Sequence, residues 1–261
     1  MKVNKLIKSE ARKTLSDKWG IALGCYFSIL LVYLIFSSIY NISFILTQNN
    51  FQEAYNNIPE NFLDIVLLTI FPFISFIVLL LLTPVFSGIT LILTKSTLNK
   101  PVEFSNILYY FSKENYKKSV KLWIRLIARC IVPIFFGLLF CITIYNIAKT
   151  AESEIIGNIL YSVLIVGIFV FTLLSINIIS TLFLAPFIHV SNTSYSSTYC
   201  IGLSIKIMKN NKGKIYFLLL SFIPWILISF FVVPTLYTIP YIFTSFATSA
   251  KYIITNNLKE F

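Results

Sequence analysis

Carboxylates, histidine and cysteines at ligand spacing are what this chain has least of. Asp and Glu together number ten, and histidine occurs once in 261 residues. Side-chain catalysis needs a nucleophile with a base, a carboxylate pair or a metal constellation, and the ionisable residues are not spaced for any of these. The cysteines, Cys25, Cys130, Cys141 and Cys200, lie far apart with no CxxC spacing, so neither a disulfide framework nor a zinc site is expected. His189 stands alone near the end of an apolar run and reads as a polar helix-end residue. No catalytic, cofactor-binding or metal-binding residue is assigned, and the expectation is a protein that is not an enzyme.

Charge is scarce as a whole. Charged residues make up 12% of the chain and hydrophobic ones 57%, whereas about 25% of a soluble domain is charged. That balance excludes a soluble globular domain. The net charge of +11 does not point to nucleic acid, because the lysines and arginines cluster beside apolar runs, as membrane orientation requires.

What is abundant is long apolar sequence, and about 20 apolar residues suffice to cross the hydrocarbon core. The reading is an all-α polytopic transmembrane helix bundle of most plausibly six spans (five to six), at about 20–46, 62–93, 120–147, 155–190, 216–233 and 235–254. Residues 1–19 form a basic amphipathic N-terminal helix. It is read as retained, since the run from Gly20 exceeds a signal-peptide core and lacks a small-residue cleavage site. Residues 255–261 are a short C-terminal tail. The stretch Tyr216–Ile254 is 39 residues long, about 58 Å as one helix, which excludes a single straight span. Two spans turning near Pro234 fit its length, with a re-entrant hairpin as the alternative. The absence of glycine between Lys214 and Phe261 counts against an unwound ion-binding break.

With six spans, 18 of the 21 basic residues fall on one side, and only Lys149 falls on the other, where Glu53, Glu60, Glu152 and Glu154 also lie. The positive-inside rule then puts both termini in the cytoplasm of a bacterial cell membrane. Two cytoplasmic segments read as amphipathic interfacial helices. About 103–115 aligns Phe104, Ile107, Leu108 and Phe111 in one apolar stripe, and about 194–210 sets Tyr195, Tyr199, Leu203 and Ile207 opposite a serine-rich face.

The candidate contact residues for anionic lipid or a partner protein are Arg125, Arg129, Lys206, Lys209, Lys212 and Lys214. Arg125 and Arg129 share a helix face at i, i+4 and can reach the headgroups beside Trp123. The four lysines end the second amphipathic segment, and each basic residue near an anionic surface contributes on the order of 1 kcal/mol. Asn146, Asn158 and Asn177, in or beside apolar spans, should seek interhelical partners. Asp64, near the start of the second span, reads as an interfacial carboxylate.

Several local patterns, "LSDKWGIALGCYF", "LSIKIMKNNKGKIYFLLLSFIPWILIS" and "TIPYIFTSFATSAKY", occur in an order that resembles an uncharacterised bacterial integral-membrane family, domain-of-unknown-function family 975. The matching positions are Lys18, Trp19 and Gly20; Ser204, Met208, Lys209, Asn211 and Lys212; and Ser221, Trp225, Pro240 and Tyr241. Pro224 stands where the family usually has glycine. The resemblance implies the architecture and no activity.

The functional expectation is a non-enzymatic, multi-pass membrane protein whose basic cytoplasmic face engages the anionic headgroups of the bilayer, a membrane-protein partner or a second copy. Envelope maintenance or resistance to membrane-active peptides would be the setting. The alternative is a small transporter or export-system component using the proline-bearing spans. No cofactor is expected.

Overall fold

The computed structural model describes residues 2–54, 62–150, 153–229 and 232–258. In chain order these form α1 (Lys2–Ala54), α2 (Phe62–Thr97), a 3-10 helix (Phe104–Phe111), α3 (Lys113–Thr150), α4 (Glu154–Leu182), α5 (Ala185–Ser191), α6 (Ser197–Met208), α7 (Lys212–Leu220), α8 (Ile223–Ile228) and α9 (Val232–Leu258). No strand occurs among the described residues. Residues 1–120 with 224–248 form one compact unit, and residues 121–223 with 249–261 form a second.

In the first unit the basic N-terminal helix and the apolar run that follows lie on one element, α1, bent at Lys18, whose backbone is non-helical (φ −132°, ψ 28°). The Lys18 ammonium donates to the carbonyls of Lys100 at 3.1 Å and Ser96 at 3.5 Å. A cation at these carbonyls complements the negative end of α2. That end is closed by Asn99 in the left-handed conformation (φ 54°), with Lys100 N–H donating to the Lys95 carbonyl at 3.0 Å and Asn99 N–H to the Ser96 carbonyl at 3.2 Å. The paired bonds are a Schellman cap, in which asparagine replaces the usual glycine. The polar stretch from Thr47 continues α1 as far as Ala54, and its remainder, 55–61, lies outside the described residues, as does the Asp64 side chain.

The segment 103–115 corrects an expectation. Instead of an α-helix, it is a 3-10 helix up to Phe111, and α3 then begins at Lys113. A three-residue turn aligns i with i+3, so Ile107 and Tyr110 are the buried pair, while Leu108, placed in the stripe by an α-helical period, is 64% exposed. Gly88 of α2 makes room for this contact, since a Cβ there would fall onto the Ile107 carbonyl. Nearby, the hydroxyls of Ser87 and Ser119 share a buried hydrogen bond of 2.6 Å.

Prolines divide the last part of the chain. A turn at Ser221–Phe222 precedes Pro224, the second residue of α8, and Pro234 is the third residue of α9. A first-turn proline costs no helical hydrogen bond, because its missing N–H would have had no intrahelical partner. The chain thus leaves α8 by a turn at Ser229, a few residues before Pro234, where sequence reading expects it. The Thr235 hydroxyl donates to the Ser229 carbonyl at 2.6 Å across this break. Pro240 is interior to α9. From α9, Tyr237 stacks on Trp19 of α1, and Tyr241 meets Arg12.

In the second unit α3 and α4 run antiparallel. Gly137 lies against Phe171, Gly167 against the Phe140 ring and Gly157 against the Ala148 carbonyl, so the residue numbers rise on one helix as they fall on the other. Small residues at such crossings let helices approach closely without a hydrophobic driving force. The outward faces are apolar: Phe136 is 58% exposed, Ile165 66% and Phe169 64%. Surfaces of this kind suit hydrocarbon, where the helix satisfies its own backbone bonds. The fourth apolar run is interrupted at Phe183–Leu184, and Pro186 opens α5. His189 is buried on α5.

The helix α6 packs largely through small residues. Its buried residues are Ser197, Cys200, Ile201, Ser204, Ile207 and Met208, whereas Tyr199 is 52% exposed. Ser197 and Ser204 pack inward together with Ile207 of the apolar stripe. The Ser204 hydroxyl donates to the Thr181 carbonyl of α4 at 2.8 Å, a contact that small side chains permit and a Tyr-rich face would prevent.

Among the described residues, four helices are long and apolar enough to cross a membrane: Val3–Ile39, Phe73–Thr97, Lys113–Thr150 and Glu154–Ser191. Sequence reading expects six. The stretches expected as the fifth and sixth spans are occupied by the short α7 and α8 and by α9, whose 27 residues are interspersed with Thr, Ser, Tyr and Pro.

Candidate functional site

The chain from Lys121 to Ile223 contains two carboxylates, Glu152 and Glu154, and both lie at the connection between α3 and α4. At the opposite end of this helix pair, α6 and α7 gather the cations. Arg125 is near the start of α3. It donates from its guanidinium to the Thr198 hydroxyl in the first turn of α6, a turn capped by the Ser196 hydroxyl, which accepts the Tyr199 N–H at 3.2 Å.

Asn177 of α4 is the hub of this end. Its side-chain oxygen accepts from Lys212 Nζ at 2.7 Å and from the Tyr216 hydroxyl at 3.2 Å. An amide oxygen has two lone pairs, so both bonds are accommodated. The interhelical partner expected for Asn177 is thus found on α7.

Lys214 is held differently. Buried Asn211, just before α7, donates from Nδ2 to the Ile207 carbonyl at 2.8 Å and accepts from Lys214 Nζ at 2.8 Å. The same ammonium lies 5.7 Å from the centre of the Tyr252 ring, a cation–π distance. Lys206, Lys209 and Arg129 are exposed. Of the six candidate residues, then, Arg125, Lys212 and Lys214 are held by the neutral partners named above.

The electrostatic consequence lies in the partners. Thr198, Asn177 and Asn211 are all neutral, so they fix the direction of three cations without cancelling their charge. A hydrogen bond from a cation to a neutral oxygen is weaker than one to an oxyanion, and an incoming phosphate or carboxylate can compete for it. Cys200, buried behind this surface, is no nucleophile: burial is the main cause pushing its thiol up to about 11, and the four cysteines are all free.

Asn177, Thr198, Asn211, Tyr216 and Tyr252 were not singled out as part of a contact site from the sequence. Only Asn177 carried a signal, as an amide inside an apolar run.

Described residues that are helical without a strand, with four helices of membrane-crossing length and hydropathy and cations collected at one end of a helix pair, define a class compatible with polytopic membrane proteins. Within it, the chain belongs to the family described as "Protein of unknown function (DUF975)", whose match covers residues 1–255. Neither a curated protein nor a solved structure matches it.

Proposed function

We propose that this is a non-enzymatic, multi-pass protein of the bacterial cytoplasmic membrane whose basic cytoplasmic face binds anionic lipid headgroups through Arg125, Arg129, Lys206, Lys209, Lys212 and Lys214. The observation that carries this reading is the neutral anchoring of Arg125, Lys212 and Lys214 on Thr198, Asn177 and Asn211. It leaves a preorganised cationic surface at the end of the α3–α4 pair away from Glu152 and Glu154. Each such charge adds on the order of 1 kcal/mol of attraction to an anionic leaflet.

The membrane placement follows the same charge pattern, with both termini on the cytoplasmic side. Six membrane segments remain the reading, but the last two do not both cross. Trp19 directly follows the α1 bend and opens the apolar run, which sets it at the headgroup level where Trp is favoured. Tyr237 stacks on it at 5.2 Å. Only five residues separate Tyr237 from Val232, the first residue of α9, or about 8 Å of helix, against a hydrocarbon core of about 30 Å. The α8–α9 hairpin therefore enters from the cytoplasmic side and returns to it.

The test is lipid retention. Wild-type protein purified gently and examined by native mass spectrometry is expected to carry phosphatidylglycerol in preference to phosphatidylcholine from mixed membranes. The Lys206→Gln, Lys209→Gln, Lys212→Gln, Lys214→Gln variant should lose that preference. An unchanged preference in a folded variant would remove the reading's support.

A further inference from the structure

Arg12, in the other unit, carries a second cationic site built on different chemistry. Its Nε donates to the Tyr241 hydroxyl at 3.2 Å, and its guanidinium carbon lies 5.4 Å from the centre of the same ring. Tyr241 is fully buried, so it is a fixed platform. Its ring meets those of Trp225 and Tyr237, each at 5.8 Å, and Tyr237 continues to Trp19. Trp225 also contacts Tyr237 directly, at 5.8 Å. Two tryptophans and two tyrosines from α1, α8 and α9 thus form one aromatic wall beside a single arginine.

The arginine is oriented but not neutralised. Guanidinium offers five N–H donors. Nε is committed to Tyr241, and the remaining donors have no protein acceptor among the described residues. The Arg12 side chain is exposed. Lys8 stands one helical turn earlier on the same face, so a further positive charge faces the same region. A planar fork held at one nitrogen presents its other N–H groups in the geometry that two phosphate oxygens accept. The partly exposed indoles supply apolar surface that a free phosphate would not use, but against which a glycerol backbone and the first methylenes of a lipid can lie. Because Arg12 already occupies the Tyr241 ring, a quaternary ammonium would meet like charge there.

We propose that Arg12, set on Tyr241 and flanked by Trp19, Trp225 and Tyr237, binds the phosphate of an anionic lipid headgroup that lacks a choline cation. This site is independent of the basic surface around Asn177, and either can fail without the other.

Tryptophan emission reads it locally. The chain has three tryptophans, and replacing the one elsewhere, Trp123→Phe, leaves Trp19 and Trp225 as the only emitters. The full-length Trp123→Phe protein in neutral detergent is titrated with short-chain phosphatidylglycerol, short-chain phosphatidylcholine and inorganic phosphate. Phosphatidylglycerol should change the emission saturably, and the other two should not at equal concentration. Arg12→Gln should raise the half-saturating concentration about tenfold, with Arg12→Lys in between, because it keeps the charge and loses the fork. Lys13→Gln, which removes a charge from the same helix, should stay within about twofold. Equal titrations for the parent and Arg12→Gln would overturn the proposal. So would an equal response to inorganic phosphate, which would make the ligand a free anion, or to phosphatidylcholine. If Arg12→Gln fails to fold, as judged by its thermal transition, Arg12→Lys decides: a titration equal to the parent's overturns the assignment.

Discussion

Trp19 and Tyr237 stack with ring centroids 5.2 Å apart and planes inclined at 28°, joining the residue after the α1 bend to the start of α9 across more than two hundred residues of chain. The pair fixes the depth of the α8–α9 hairpin in the proposed membrane. Offset aromatic pairs contribute about 0.5–1.5 kcal/mol beyond their buried area. In a double-mutant cycle, Trp19→Leu and Tyr237→Leu should each destabilise the protein, and the double variant by about 1 kcal/mol less than the sum of the two. Denaturant unfolding in a fixed detergent measures this. Additive losses would mean that the rings touch without coupling.

Two glycines make opposite predictions. A Cβ at Gly88 would fall onto the Ile107 backbone carbonyl, whereas one at Gly202 meets nothing within 4 Å. Gly88→Ala should therefore cost about 1–3 kcal/mol by overpacking, because a backbone carbonyl has no rotamer to yield with. Gly202→Ala, on an exposed position of α6, should stabilise by about 0.5–1 kcal/mol through helix propensity. Thermal unfolding of the two variants under one set of conditions distinguishes them by sign.

Cys200 gives a pH dependence. Its thiol is raised from 9.0 to about 11 in the folded protein, with burial as the main cause. Below pH 9 both the folded and the unfolded chain keep the proton, and the group has no pH effect. Between pH 9 and 11 the unfolded chain releases it first, so stability falls as pH rises. Cys200→Ala should flatten that part of the stability profile. Native protein at pH 8 should alkylate slowly at Cys200, where only about one thiol in a thousand is ionised, and unfolded protein quickly. Peptide mapping after iodoacetamide reads this directly.

Much of the architecture was legible before any coordinates. The apolar runs, the boundary between the basic N-terminal segment and the run from Gly20, and the basic character of Lys206 to Lys214 all follow from local sequence, because length and hydropathy decide whether a segment suits hydrocarbon. Where two local solutions differ by little, the sequence misled. The stripe from Phe104 to Phe111 suits an α-helix, but packing of the Ile107 carbonyl against Gly88 selects the tighter 3-10 turn. On α6 the amphipathic pattern does not say which residues meet α4. Close approach to α4 favours Ser204 and Cys200, since in an apolar medium small residues, not large ones, mark a helix interface. Of the six expected spans, length and hydropathy mark four helices among the described residues. Hydropathy alone does not register that Tyr237 stacks on Trp19, the contact from which the re-entrant α8–α9 hairpin is proposed. Contacts such as Arg12 with Tyr241, 229 residues apart, have no local signal at all.

The basic face and both ends of the chain are proposed to share one side of the membrane, with the α8–α9 hairpin returning to it. Single cysteines at Lys209, Ser229 and Thr150, each in a protein whose four native cysteines are replaced by alanine, test it with a membrane-impermeant maleimide applied to intact cells and to inverted vesicles. The account predicts that Lys209→Cys is labelled only in inverted vesicles, Thr150→Cys only in intact cells, and Ser229→Cys not from outside. Labelling of Ser229→Cys in intact cells would show a hairpin that crosses, and labelling of Lys209→Cys there would contradict the account at its root.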